Sequence, residues 1–398
     1  MSFSEHVTGL RAAWVWTGPG RLLPGATVMV ADGRVVEVSR RPVSGRQVRD
    51  LGDGLLLPGL VNAHTHLELS GLAGLARPQG DFVDWLLELV ATRPRQDPAA
   101  AAAATERAAR QASATGTVLV GDVTNTGRAR GSLAAAGLSA VLFFEALGPA
   151  MAEPPEPFVG WQDGRLEQSA IAAHSPYSVP AWRIAALKQR AGQGPFAIHL
   201  AESVAEMEFI AGRGDEGRRL GEFLLVRGVR RDELDLRKRR PLAHLMALGV
   251  VDNNTLLVHG VQLTPAEAEQ VAASGASLCL CPRSNLGLTG SLAPVRRLLA
   301  AGANLALGTD SLASTDDLSL FNEMSALAAA LPRLEPEAIF TMATLGGARA
   351  LGLEDHFGRI QPGASARLAF VPLAAASPGE VLAAALEPAA AGQGRAVD

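Results

Sequence analysis

Eight apolar runs of strand length recur along this chain, and segments rich in Ala, Leu and Arg separate them. The runs cover 56–62, 117–122, 140–145, 169–174, 196–200, 255–259, 277–281 and 304–308. Helical segments fall at 98–114, 128–136, 181–191, 202–212, 265–273 and 293–301, with a helical pair after 316. A continuously apolar strand is covered on both faces, which is the habit of parallel sheets. Alternation sustained from 55 to 357 predicts an α/β fold with a parallel sheet. Eight units predict a (β/α)8 TIM barrel, which takes ~250 residues. An open doubly wound sheet is the alternative.

The chain has 398 residues, 48% of them hydrophobic, enough for one large domain and a smaller one. The ends supply the smaller unit. Within 1–54, Val28-Met29-Val30 and Val35-Val36-Glu37-Val38 flank Asp32-Gly33. A D-G link between β-branched runs predicts a hairpin. From 358 the chain bends at Gly358-Arg359-Ile360-Gln361-Pro362-Gly363 and re-enters a strand at Leu368-Ala369-Phe370-Val371. The part over 358–398 is expected to rejoin 1–54, since the ends of a domain often lie together. Its Ala/Gly-rich tail is expected to be partly helical, then disordered.

A formal net charge of −4 gives no field that favours nucleic acid or an anionic membrane. The cluster Arg237-Lys238-Arg239-Arg240 reads as a solvated turn. Cys279 and Cys281 are the only cysteines and read as small core residues, so a disulfide framework is excluded and a reducing compartment fits. No signal peptide is visible, and no apolar segment reaches the ~18 residues of a membrane helix. The expectation is a soluble, cytoplasmic protein. Lys188 and Lys238 are the only lysines, which leaves a Schiff base or a lysine-bridged metal pair hard to place. P-loop and G-x-S-x-G patterns are absent.

The chain has eight histidines, and most fall at one kind of place. His64 and His66 follow the first run, spaced so that a strand would project both to one face. His174, His199 and His259 end the fourth, fifth and sixth runs, and Asp310 follows the eighth. The C-terminal ends of barrel strands converge on the face where active sites sit. His6, His244 and His356 have no such position and read as surface or structural. Three imidazoles, from His64, His66 and His199, with the Asp310 carboxylate suit one divalent cation, zinc first and iron as the alternative. Such an ion lowers the pKa of a bound water to ~7 and so yields hydroxide at neutral pH. Glu202, just past a ligand, is placed to act as general acid/base, protonating a ring nitrogen as hydroxide attacks the neighbouring carbon. It also reads as a first-turn helix acid, and the two readings are compatible. His259 would bond the attacking water or the tetrahedral oxygen.

These residues sit in Pro58-Gly59-Leu60-Val61-Asn62-Ala63-His64-Thr65-His66, His199-Leu200-Ala201-Glu202, Val258-His259-Gly260, Cys281-Pro282-Arg283-Ser284-Asn285 and Gly308-Thr309-Asp310-Ser311. On them the chain resembles the amidohydrolase superfamily, in its branch of aromatic-base and nucleoside aminohydrolases. The resemblance spans nearly the whole chain. It implies a β-sandwich from both termini, one metal on His64, His66, His199 and Asp310, proton transfer through Glu202, a supporting His259, and a homodimer. His64-Thr65-His66-Leu67-Glu68-Leu69-Ser70, Phe82-Val83-Asp84-Trp85-Leu86 and Ala173-His174-Ser175-Pro176-Tyr177-Ser178 are most similar to aminodeoxyfutalosine deaminases of menaquinone biosynthesis and to S-adenosylhomocysteine or methylthioadenosine deaminases. Ala366-Arg367-Leu368 departs from the Ala-Asp-Leu more usual there.

The expected activity is hydrolytic deamination of an adenine-type nucleoside, releasing ammonia. Guanine- or cytosine-type deamination, triazine hydrolysis and cyclic-amide opening are alternatives on the same scaffold. A non-catalytic binding barrel, and a binuclear centre using Glu145, are remoter ones. Among substrate contacts, His174 would bind the base or a sugar hydroxyl, and Glu68 the ribose hydroxyls. Arg283, Ser284, Asn285 and Ser311 either touch substrate or brace the loops that carry them. Arg283 or Arg128 would serve a carboxylated substrate. The long segments 67–97 and 213–254 read as pocket walls or as surface insertions.

Overall fold

Eight parallel strands follow one another in the order of the chain: β1(Leu60–Thr65), β2(Thr117–Thr124), β3(Ser139–Ala146), β4(Arg165–Ala173), β5(Phe196–Leu200), β6(Thr255–His259), β7(Ser277–Leu280) and β8(Asn304–Leu307). The computed structural model describes residues 7–41, 43, 47–74, 81–148, 155–156, 158–162, 164–237, 239–374 and 377–397. His6 and Lys238 lie outside them. The sheet closes into a barrel where its first and last strands meet. Thr65 bridges Asp310, and the Thr309 N–H donates to the His64 carbonyl at 3.0 Å. The Asn62 amide donates to Thr309 Oγ1 at 2.8 Å across the same seam. Helices follow most strands, as the alternating pattern predicts. Between β3 and β4 the described residues hold instead a short strand, Val159–Gln162, antiparallel to β4.

Strand alternation divides the core. On β5, Phe196, Ile198 and Leu200 pack outward with the helices, while Ala197 belongs to a second cluster with Val258, Cys279 and Ala306. Each large side chain so buried contributes about 1.5–3 kcal/mol. His199 shares the phase of Ala197, which turns it to the inside at the end of the strand.

The apolar run before His64 is not one strand. It breaks at Gly59, where a Cβ would run into Val118 and the Arg367 carbonyl. Gly54–Pro58 pairs with Leu368–Pro372 and Trp14–Gly18 in a five-stranded sheet drawn from both ends of the chain. A second sheet of four strands is N-terminal, and its Thr27–Ala31 and Arg34–Ser39 turn through Asp32-Gly33, both at positive φ, 51° and 72°. That is the backbone a two-residue hairpin requires. Leu10, Val28, Leu56, Leu368 and Phe370 bury the two sheets against each other. Arg367 reaches the Gly137 carbonyl and Ser113, so it fastens this unit to the barrel. The tail differs from its expectation. Helices Val381–Leu386 and Pro388–Ala391 are followed by a strand, Arg395–Val397, paired with Leu368–Phe370. Its Ala and Gly hid a sheet edge that the neighbouring strand supplies. Among the described residues no helix is long and apolar enough to cross a membrane.

Candidate active site

The predicted ligands meet at the C-terminal mouth of the barrel. His66 Nε2 lies 3.4 Å from His199 Nε2, and Asp310 Oδ1 lies 3.8 Å from His66 Nε2 and 4.0 Å from His64 Nε2. The His64 and His66 rings stand nearly perpendicular, with centroids 4.8 Å apart. Both ring nitrogens of His64 are buried without a hydrogen-bond partner. Buried polar atoms are rarely left so. His199 Nδ1 donates to the His174 carbonyl at 2.7 Å, which presents its Nε2 to the cluster. Burial, ahead of the neighbouring imidazoles, holds His64 well below the ordinary histidine range. Burial likewise brings His66 and His199 down to about 4. Neutral imidazoles with free Nε2 atoms beside a carboxylate are the donor set a borderline divalent cation takes. The residues present therefore fit a metal.

Three site residues adopt a left-handed backbone: Ala201 at φ 49°, His259 at 75° and Asp310 at 57°. Such positions are costly for residues other than glycine and cluster at functional sites. At His259 the reason is visible. Val258 faces the barrel interior, so regular alternation would send His259 outward; the turned backbone brings it back to the mouth. Asn285 Nδ2 donates to His259 Nδ1 at 2.9 Å, leaving the Nε2 hydrogen to face Glu202 Oε1 at 3.5 Å. Burial, then the negative charges of Asp310 and Glu206, push the Glu202 carboxyl well above its usual range.

The remaining predicted residues divide. Ser284 Oγ donates to Asp310 Oδ2 at 2.6 Å, and Ser314 adds a second hydroxyl at 3.0 Å. Burial raises the Asp310 carboxyl, and these hydroxyls oppose it. Arg283 pairs with Glu323 at 2.7 Å and Asp317 at 2.8 Å. So Ser284 and Asn285 contact Asp310 and His259 from behind, while Arg283 braces their loop through Glu323 and Asp317. Glu68 lines the cavity, but its oxygens accept from the Thr124 and Thr126 hydroxyls and from the N–H groups of Asn125, Thr126 and Arg128. Oε1 takes four of these bonds and is filled, whereas Oε2 takes only the Asn125 N–H, at 3.3 Å. His174 lines the cavity with Nδ1 held by Ser178 Oγ at 2.7 Å, and burial brings it down to about 4. Ser311 Oγ is buried there without a partner. The cavity measures about 220 Å³, and Phe82, Trp85 and Leu89 from the 67–97 segment form its apolar wall. The arginines at its edge are Arg93 and Arg227, not Arg128. Of the other histidines, His244 is buried.

Sequence reasoning missed Glu206. Its carboxylate accepts from the N–H groups of Ala201 and Glu202, at 3.1 and 2.9 Å, and so holds the turn that aims Glu202. Burial raises it to about 7. The signal was present: Ser203-x-x-Glu206 is a helix-start pattern, and Ser203 does accept from the Glu206 N–H at 3.2 Å.

The sequence model of the Amidohydrolase family matches residues 55–391. The 5-methylthioadenosine/S-adenosylhomocysteine deaminase of Nitratidesulfovibrio vulgaris is 29% identical over 374 residues, 87% of this chain and 78% of its own. The aminodeoxyfutalosine deaminase of Deinococcus radiodurans is 31% identical over 371 residues, 87% of this chain and 86% of its own. Among solved structures, an adenosine deaminase from Xanthomonas campestris with bound zinc superposes with a TM-score of 0.77 at 28% identity, over 97% of this chain and 90% of that one.

Proposed function

The chain belongs to the amidohydrolase family, and from that premise we propose that this hydrolase of carbon–nitrogen bonds deaminates the purine of an adenine-type nucleoside. The observation that carries the reading is the convergence of His64, His66, His199 and Asp310 beside Glu202, with His66, His199, Asp310 and Glu202 lining one cavity. His64, His66, His199 and Asp310 would hold one divalent ion, zinc by preference. When bound, the ion supplies the Lewis acidity that makes water a competent nucleophile at neutral pH.

The protein's own groups supply the rest. Glu202 takes a proton from the attacking water and passes it to the ring nitrogen beside the amino-bearing carbon. His259, with Nδ1 fixed by Asn285, offers its Nε2 hydrogen to the oxygen added at that carbon. Glu202 then carries a second proton from the added oxygen to the amino group, the carbon–nitrogen bond breaks, and ammonia leaves as a ring carbonyl forms. Phe82 and Trp85 offer apolar faces for the heterocycle.

The test is turnover by zinc-loaded protein, read as ammonia release from adenosine, methylthioadenosine, S-adenosylhomocysteine, aminodeoxyfutalosine, guanine and cytosine, and as chloride release from a chlorotriazine. Turnover of one or more of the four nucleosides is expected, with kcat/KM at least tenfold above any other compound. Silence on all four, or a preference for the triazine, overturns the reading.

A further inference from the structure

The cavity wall opposite the apolar face carries a carboxylate that the chemistry above does not use. Glu145, at the end of β3, is 8% exposed. Its Oε2 accepts from Asn125 Nδ2 at 3.1 Å, and its Oε1 has no hydrogen-bond partner. Arg93 fixes the orientation of that amide by donating to Asn125 Oδ1 at 3.4 Å, so Asn125 turns its donor to Glu145. The free oxygen faces the space shared with His174 and His199. A buried acceptor held in place but left unfilled calls for a donor from outside the chain.

Two occupants fit poorly. Glu145, His174 and His199 are residue types that could hold a second cation. But His199 Nδ1, the nitrogen 3.7 Å from Glu145, already donates to the His174 carbonyl, and with His174 Nδ1 engaged by Ser178 only His174 Nε2 and Glu145 Oε1 are left, fewer donors than a protein metal site takes. A nitrogen that carries a hydrogen cannot ligate. An ion pair with His199 is no better, because that imidazole is buried among others and serves as a neutral ligand. The third occupant is a hydroxyl. A carboxylate accepts two neighbouring O–H groups side by side; Glu68, the other carboxylate on this wall, has its Oε1 filled by Thr124, Thr126 and Arg128, and its Oε2 accepts from the Asn125 N–H with Arg93 at 3.8 Å, so it offers no free pair of oxygens.

We propose that Glu145 accepts the vicinal hydroxyl pair of a ribosyl group, and that it selects ribonucleosides over dideoxynucleosides and free bases. This rests on the nucleoside reading above. Asn125 and Arg93 position the carboxylate; Ser311 and His174 remain for the base. A site built to bond a substrate hydroxyl rejects the analogue that lacks it, because the buried acceptor is then left unpaired.

The experiment takes whichever nucleoside of the panel the zinc-loaded enzyme turns over best, together with its 2′,3′-dideoxy counterpart. The wild-type protein is expected to favour the diol by about 100-fold or more in kcat/KM. Glu145→Ala should bring that ratio to within about threefold, chiefly through a higher KM for the diol, with one metal per chain retained. Glu145→Gln, nearly isosteric, should give an intermediate ratio and covers the case in which the alanine variant fails to fold. A ratio unchanged in Glu145→Gln or Glu145→Ala overturns the proposal while leaving deamination intact. Two metals per wild-type chain, falling to one in either variant, overturn it in favour of a second cation. Absence of turnover on every nucleoside removes the underlying reading and this proposal with it.

Discussion

Asn285 Nδ2 lies 2.9 Å from His259 Nδ1, and this contact fixes which nitrogen of His259 carries the hydrogen. The amide donates, so Nδ1 accepts and Nε2 keeps its hydrogen, directed toward Glu202 Oε1 at 3.5 Å. A histidine that must donate to a developing oxygen needs that tautomer. Both residues are buried, so water cannot substitute for the amide.

Asn285→Asp should therefore be more damaging than its size suggests. A carboxylate accepts where the amide donated, which moves the hydrogen to Nδ1 and strips Nε2 of it. The expected loss is about 100-fold or more in kcat, with little change in KM. Metal content, read by elemental analysis, should stay normal. Asn285→Asp turning over at near wild-type rate would show that His259 does not act through its Nε2 hydrogen.

Glu202→Gln keeps the shape of the side chain and removes its proton traffic. Turnover should drop by about 10²–10⁴-fold, the usual scale of general acid–base catalysis. Because Glu202 is not among the proposed ligands, the variant should bind zinc as tightly as the native protein. A variant that loses metal instead would reassign Glu202 to the coordination sphere.

Much of this site could be read from the chain because the fold places it by rule. His199 is next to last in a five-residue apolar strand, and strand ends of a barrel converge, so its position followed from counting runs. Glu206 and Glu323 were harder. Each is buried at the site's back, and a first-turn glutamate looks the same in a sequence whether it faces water or a backbone turn. The break at Gly59 was hidden for a related reason. Leu55 to Val61 reads as a single apolar run, because both the terminal sheet and the barrel demand apolar residues there. Glu68 illustrates the opposite error: its place beside the cavity was foreseeable, but the hydroxyls of Thr124 and Thr126 that occupy its Oε1 are more than fifty positions away in the chain.

Metal affinity should be less sensitive to mild acid than exposed histidine ligands would make it. Proton competition at a histidine ligand begins where the free ligand titrates. An exposed trio would start near the ordinary pKa of ~6.5 and give a slope approaching three in log K against pH. Here burial holds His66 and His199 at about 4 and His64 well below its usual value, so all three are already neutral at pH 5. Only the raised carboxyls, Asp310 among the proposed ligands and Glu202 beside them, are left to release protons. Zinc binding followed by competition with a chelator between pH 7 and 5 should show a slope of at most two. A slope near three would mean that the imidazoles titrate as exposed groups do.

Arg283 separates bracing from substrate recognition. Its guanidinium reaches Glu323 at 2.7 Å and Asp317 at 2.8 Å, and Glu323 is fully buried, raised to about 7 by that burial against the pull of Arg283. Arg283→Met would strand Glu323 without its cation. Breaking a buried pair from one side costs about 3–5 kcal/mol, and the partial exposure of Asp317 places that second contact nearer the small surface value. The sign with pH follows from the raised pKa. In the variant Glu323 is pushed up further, so the folded state holds a proton that the unfolded state has released above the ordinary carboxylate pKa of ~4.3. The deficit against wild type should therefore be small at pH 5 and grow as pH rises through 7, in denaturant melts. Substrate preference across the nucleoside panel should not move. An Arg283→Met protein of normal stability that loses its preference for one nucleoside would place this arginine in the binding site after all.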